Sequence, residues 1–86
     1  MSDITVKKDK VDEILDNAEI LVETKFGKVT VVIVKLENGF TFVEGTGCVD
    51  PENYSEEIGK EICLERIKNK LWMLEGYKLQ CEVGDI

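Results

Sequence analysis

Cys48, Asp50, Asn53, Glu56 and Glu57 fall within the stretch CVDPENYSEE, a density of thiol, amide and carboxylate groups that would suit a metal or redox site. Neither chemistry survives the spacing. A calcium loop begun at Asp50 needs glycine at its sixth place, where the chain has Ser55. Cys48 has no second cysteine close enough in sequence to resolve a disulfide, and Cys63 and Cys81 lie far along the chain. The three cysteines form no CxxC and are odd in number, so they read as reduced thiols serving as small core residues. With no metal and no cofactor expected, the stretch is better explained as the place where a sheet hands over to a helix. Asp50-Pro51 stops strand pairing, Asn53 followed three residues later by Glu56 matches a capping box, and Glu56 and Glu57 favour the positive end of the helix dipole.

The absence of histidine removes the usual proton shuttle and every Ser-His or Cys-His nucleophile pair, so an enzyme is not expected. A formal net charge of −7 disfavours DNA or RNA as a partner. No apolar run approaches the roughly 20 residues that span a bilayer, and the charged N-terminal residues do not resemble a signal peptide. A soluble protein with no membrane partner follows. At 86 residues, 43% hydrophobic and 34% charged, the chain is read as a single α+β domain, 1–86, with a modest core that a partner subunit would help to complete.

What remains is binding chemistry, from aromatic and basic side chains that the elements must bring together. The segment KKDKVDEILDN spaces Val11, Ile14 and Leu15 as an amphipathic helix within 1–18. Antiparallel strands occupy 19–49, with a turn at Phe26-Gly27 and a hairpin turn at Asn38-Gly39. A two-residue type I′ turn there sets Glu37 opposite Phe40, Lys35 opposite Phe42 and Ile33 opposite Glu44, with Leu36 on Thr41 and Val34 on Val43. One face, Val32, Val34, Leu36 and Val43, then forms the core. The other, Val29, Val31 and Ile33 beside Phe40, Phe42, Lys35 and Glu44, is too apolar for open water and too charged for a closed core, and reads as an interaction surface.

The main helix, 53–75, carries Ile58, Ile62, Cys63, Ile67, Leu71 and Leu74 as one apolar stripe, with Arg66, Lys68 and Lys70 toward its C-terminal half. Gly76 is expected to cap it. Residues 76–86 then form a strand or tail in which Tyr77, Leu79, Cys81 and Val83 alternate with polar residues. The fold expected is a small antiparallel sheet packed by one long C-terminal amphipathic helix, with a short N-terminal helix. Trp72 and Tyr77 read as packing or interface aromatics.

Across residues 28 to 79 the order of several motifs resembles a family of small bacteriophage proteins of mostly unknown function. These are a strand with Gly39-Phe40-Thr41, then Cys48-x-Asp50-Pro51-x-Asn53, Glu57-Ile58-Gly59, Leu71-Trp72 and Leu74-Glu75-Gly76-Tyr77. The pattern is also similar to the first Thoeris anti-defence family, phage proteins that sequester cyclic ADP-ribose isomers made by bacterial immune enzymes, some relatives capturing cyclic oligonucleotides. The resemblance implies a sponge for a cyclic nucleotide signal in the host bacterial cytoplasm, working as a homo-oligomer, a dimer or larger, without cleaving its ligand. It places the stacking role on Phe40 or Phe42, the amide role on Asn53, and the phosphate role on Lys60 or Lys70, with Arg66 the chain's single arginine, and the expected hairpin register adds Lys35 opposite Phe42 as a cation beside the ring. The alternative is a phage interaction module that inhibits a host enzyme through its apolar sheet face.

Overall fold

The computed structural model describes residues 4–86; residues 1–3, the first of the span assigned to the N-terminal helix, lie outside it. Helix α1 spans Lys8–Asp16, three strands follow at Glu19–Lys25 (β1), Val29–Lys35 (β2) and Thr41–Gly47 (β3), and helix α2 runs Glu56–Val83 after a short 3-10 turn, Pro51–Asn53. The strands form an antiparallel meander in the order β1-β2-β3. Both helices lie on one face of it, as an α+β fold of this kind requires.

The β2–β3 register corrects the expected pairing by one residue. Lys35 faces Thr41, Val34 faces Phe42, Ile33 faces Val43 and Val32 faces Glu44. The connection is a three-residue loop, Glu37-Asn38-Gly39, in which Leu36 N donates to Phe40 O (2.8 Å) and Gly39 N donates to Leu36 O (2.9 Å). Only Gly39, at φ 92°, has positive φ there, whereas a type I′ turn needs it at both central residues. Asn38 instead spends its side chain on the turn, its Oδ1 accepting from Phe40 N at 2.9 Å.

Because side chains alternate, that slip exchanges the two faces of β3. Phe42 enters the core at 7% exposure and Val43, expected inside, is 63% exposed on the far face. Val32, Val34 and Leu36 are buried as expected, with Val11, Cys63, Ile67 and Leu71. Glu44 moves to the helix side. The far face is formed by Leu21, Val29, Val31, Ile33 and Val43, with Glu19, Glu23, Lys25 and Lys35 on the same side by register, and among the described residues no helix packs on it.

The Phe26-Gly27 turn stands where the sequence placed it, with φ 55° and 68° and Lys28 N donating to Lys25 O at 3.1 Å. A left-handed conformation costs an L-residue about 1–2 kcal/mol, and Phe26, 91% exposed, gains no burial in return. Phe26→Asn is therefore expected to raise the unfolding free energy by about 0.5–1 kcal/mol, since asparagine tolerates this conformation. A denaturant midpoint that rises at unchanged slope verifies it; a lower midpoint would mean that the ring packs on the protein after all.

Two boundaries of α2 also differ from expectation. Its N-cap is Ser55, whose Oγ accepts from Ile58 N at 3.3 Å, rather than Asn53, which is the last residue of the 3-10 turn capped by Asp50. The proline locks φ for that turn and so displaces the helix start by one cap. At the other end the helix passes through Gly76 and stops at Gly84, φ 78°, whose N–H donates to Gln80 O at 3.0 Å. No strand forms over 77–83. A mid-helix glycine costs about 1 kcal/mol, which the helix formers Met73, Leu74, Glu75, Lys78, Leu79 and Gln80 around it outweigh. At 28 residues α2 is about 42 Å long against about 23 Å for a seven-residue strand, so its last turns project beyond the sheet.

Cys63 is the core thiol, and burial pushes its pKa up. Cys48 is half-buried, with Sγ donating to Asp50 O, and Cys81 is exposed, so the expectation of three core cysteines holds for one. Helix α1 is clipped to α2 by Lys68 Nζ on Asp12 Oδ1 (2.8 Å), with Lys8 on the other carboxylate oxygen (3.6 Å). The Lys68 hydrogen bond holds the Asp12 carboxyl below its ordinary range, and the same bond raises Lys68. A depressed carboxylate stabilises the fold above its unfolded pKa of about 3.9 and loses that contribution as pH falls through the folded value; a raised lysine contributes below about 10.4 and loses it as pH rises through the folded value. Asp12→Asn is expected to weaken amide-exchange protection in α1 modestly at neutral pH, with the difference vanishing at about pH 2. A difference of equal size at both pH values would remove the charge from the explanation.

Candidate functional site

The structure brings together one part of the predicted set and separates the rest. Phe40, Phe42 and Glu44 share the helix-facing side of β3 because they alternate along one strand. Phe42 is beneath α2, while Phe40, just outside the strand, keeps half its surface open and meets Phe42 edge to face at 5.2 Å between centroids. Such an arrangement fixes the exposed ring at little entropic cost.

From the helix side, Arg66 and Lys70 stand one turn apart and both reach β3. Lys70 Nζ pairs with Glu44 Oε2, Arg66 Nη1 lies 3.9 Å from Glu44 Oε1, and the same Nη1 donates to Gly45 O at 3.0 Å. Only 13% of the Glu44 side chain is exposed, whereas both cations keep about half of theirs, 50% for Arg66 and 53% for Lys70. The carboxylate therefore works as an anchor from beneath, and the guanidinium retains unused donors in a planar fork that suits phosphate or carboxylate oxygens. Sequence reasoning missed Glu44 in this role. The i, i+4 spacing puts the two cations on one side of the helix, but nothing in the sequence names Glu44 as their shared partner.

Lys35 is not part of this cluster. Opposite Thr41 and Glu19 on the far face, it sits on the other side of the sheet from Phe42, and the proposed pairing of the two is corrected by the register. Asn53 is exposed beyond the end of β3 opposite to Phe40, about 23 Å of strand away. It borders a cavity of about 100 Å³ with Cys48, Tyr54, Ile58 and Gly59. Lys60 is exposed near the start of α2, about 15 Å along the axis from Lys70. A single protomer does not gather these three with Phe40.

Tyr54 was also missed. Its hydroxyl shares hydrogen bonds with Thr24 and Thr30, each at 2.7 Å, and Thr24 Oγ1 in turn donates to Glu56 Oε2. This ties the loop before α2 to β1 and β2 and satisfies Thr30, the buried polar residue of the core. Nothing in the sequence pairs residues 24 and 30 with 54; only the folded topology does.

Fold and site thus define a small α+β protein whose distinctive chemistry is an aromatic and cationic ribbon along one sheet edge. The chain belongs to the phage protein (N4 Gp49/phage Sf6 gene 66) family, whose model matches residues 4–83. No curated protein and no solved structure matches it significantly. Among the described residues no helix is long and apolar enough to cross a membrane.

Proposed function

We propose that this phage protein is an anti-defence sponge: a binding protein that captures a cyclic nucleotide signal, a cyclic ADP-ribose isomer or a cyclic oligonucleotide, and releases it chemically unchanged. The observation that carries the reading is the half-exposed Phe40 ring on the same side of the β3 edge as Glu44, where Arg66 and Lys70 are anchored about 13 Å further along the strand, a stacking face and two cations on one edge. Phosphate oxygens would replace Glu44 as the partner of those cations. Asn53 and Lys60, remote along the protomer, and Lys35, on the opposite face of the sheet, would contribute only from a neighbouring copy, so the working form is a homo-oligomer.

A thermal-shift panel of cyclic dinucleotides, cyclic trinucleotides and cyclic ADP-ribose isomers tests the proposal, binding to the native state alone raising the melting temperature. One ligand class should shift it. Phe40→Ala should then weaken affinity about 5- to 150-fold, as loss of about 1–3 kcal/mol of stacking implies, and Lys70→Ala should weaken it further at low salt. Ligand released by heating must return intact; a cleaved product would replace the sponge with an enzyme.

A second reading rests on the uncovered far face, where Leu21, Ile33 and Val43 form an apolar row across three strands. On this reading the acidic protein inhibits a host enzyme by covering it with that face. Silence from every nucleotide, with one host protein recovered in stoichiometric amount by wild type and lost with Val43→Glu, would select it.

A further inference from the structure

The helix layer does not reach across the whole sheet. Helix α2 packs on β2 and β3, and a helix about 10 Å across spans two strands spaced about 4.8 Å apart. Strand β1 is left at the margin of that layer, although Ile20 and Val22 point to its helix side, opposite the buried Val34 and Val32 of β2. The Thr24–Glu56 hydrogen bond closes this lane at one end, and the end of α1, fastened by Asp12 to Lys68, closes it at the other. A groove of about 630 Å³ lies against α1, with Leu15, Ile20 and Leu64 as its apolar floor. Ile20 stays 38% exposed there.

The rim of the groove is acidic. Asp16 stands on the α1 side, Glu61 and Glu65 on the α2 side. Asp16 and Glu61 form no ion pair among the described residues. The cation of the groove, Lys68, is already held by Asp12, and Glu65 acts on it only through space. Moreover Glu57, Glu61 and Glu65 follow one another at i, i+4, the spacing at which like charges on a helix repel. The free protein therefore holds an exposed apolar floor and a column of mutually repelling carboxylates side by side, and one kind of occupant relieves both.

We infer that this groove receives a basic amphipathic helix of a partner protein. It would lie beside α2 with its apolar stripe on Leu15, Ile20 and Leu64 and with lysine or arginine on its flanks against Asp16, Glu61 and Glu65. A helix fits better than a strand because the groove lies within the helix layer, where neighbours pack at about 8–10 Å between axes and an apolar stripe is read by a groove of matching character. The same acidic rim repels phosphates. The groove is thus separate from the ribbon of Phe40, Arg66 and Lys70, which lies at the β3 edge, and its role does not depend on a nucleotide.

The test uses the full chain and a labelled peptide of about 15 residues, the helix length that spans a seven-residue strand, with leucines at helical spacing and lysines on both flanks. Fluorescence anisotropy should show saturable binding that weakens as salt rises, and a scrambled peptide of identical composition should bind at least about tenfold more weakly. The amide resonances of Leu15, Ile20 and Leu64 should move during the titration. Asp16→Lys combined with Glu61→Lys should weaken binding at least about tenfold, and Ile20→Ser, which leaves the charge unchanged, about fivefold. Glu37→Lys combined with Glu52→Lys makes the same change in net charge elsewhere and should weaken it less than about twofold. All five positions are exposed, so the variants keep the fold. No saturable binding, equal binding of the scrambled peptide, or an equal loss in the two lysine pairs would each overturn the proposal, the last two by reducing it to the attraction of an acidic chain for any cation.

Discussion

Gly59→Ala is expected to destabilise the protein by about 2 kcal/mol, lowering its melting temperature by about 10 °C, although alanine is the better helix former by about 1 kcal/mol. Gly59 is where α2 comes closest to the sheet. A Cβ added there would stand 2.7 Å from the Thr30 Cβ and nearer still to its Oγ1, closer than real atoms approach. Thr30 cannot step aside. It is fully buried in the central strand, stiff at χ1, and its hydroxyl is held by Tyr54. The helix must lift instead, and the lift opens the core at Cys63 and Ile67, the next turns on the same face.

The same geometry predicts a coupling. Thr30→Ala alone removes a buried hydrogen bond and leaves the Tyr54 hydroxyl with one partner fewer, costing about 1–2 kcal/mol. Combined with Gly59→Ala it removes the nearest contact, the Thr30 Oγ1, while the Cβ of residue 30 stays 2.7 Å from the new methyl, so the double variant should be more stable than the sum of the two losses by about 0.5–1 kcal/mol yet less stable than Thr30→Ala alone. Denaturant unfolding of all four proteins gives the cycle. Additive losses, or a Gly59→Ala protein more stable than wild type, would mean that helix and sheet do not touch there.

Much of this architecture is visible in residue order, and what is hidden has identifiable physical causes. The β-branched runs and the two turn signals define three strands, and the 3.6-residue period defines α2, because both patterns arise from one buried face per element. Boundaries fail where two residues compete for one role. Gly76 and Gly84 both suit a helix end, and the glycine with positive φ prevails; Asn53 and Ser55 both suit an N-cap, and Pro51 decides between them by holding the earlier residues in a 3-10 turn. The apolar residues of α2 read as one stripe, whereas Ile58 and Ile62 flank the buried Gly59 and Cys63 by one residue and stay partly exposed at the rim of the core. The ribbon of Phe40, Arg66 and Lys70 was legible as residue types, but its assembly depends on Glu44 facing the helix, which only the hairpin register determines.

That register is itself testable through two adjacent residues. Asn38-Gly39 is compatible with either a two-residue or a three-residue loop, and the choice decides whether Phe42 or Val43 points inward. In the observed pairing Phe42→Ala empties space between Val34 and the α2 core, at a cost of about 3–5 kcal/mol. Against a total of about 5–15 kcal/mol for a domain, of which one this small holds the lower part, the variant should be substantially unfolded on mild heating. Val43→Ala, on the exposed face, should stay within about 0.5 kcal/mol of wild type. The alternative pairing predicts the reverse order, with Val43 the costly position and Phe42 a surface ring whose loss affects ligand affinity and little else. Melting curves of the two variants therefore separate the registers, and they also determine which phenylalanine can be mutated to probe binding: only Phe40, if Phe42 supports the core.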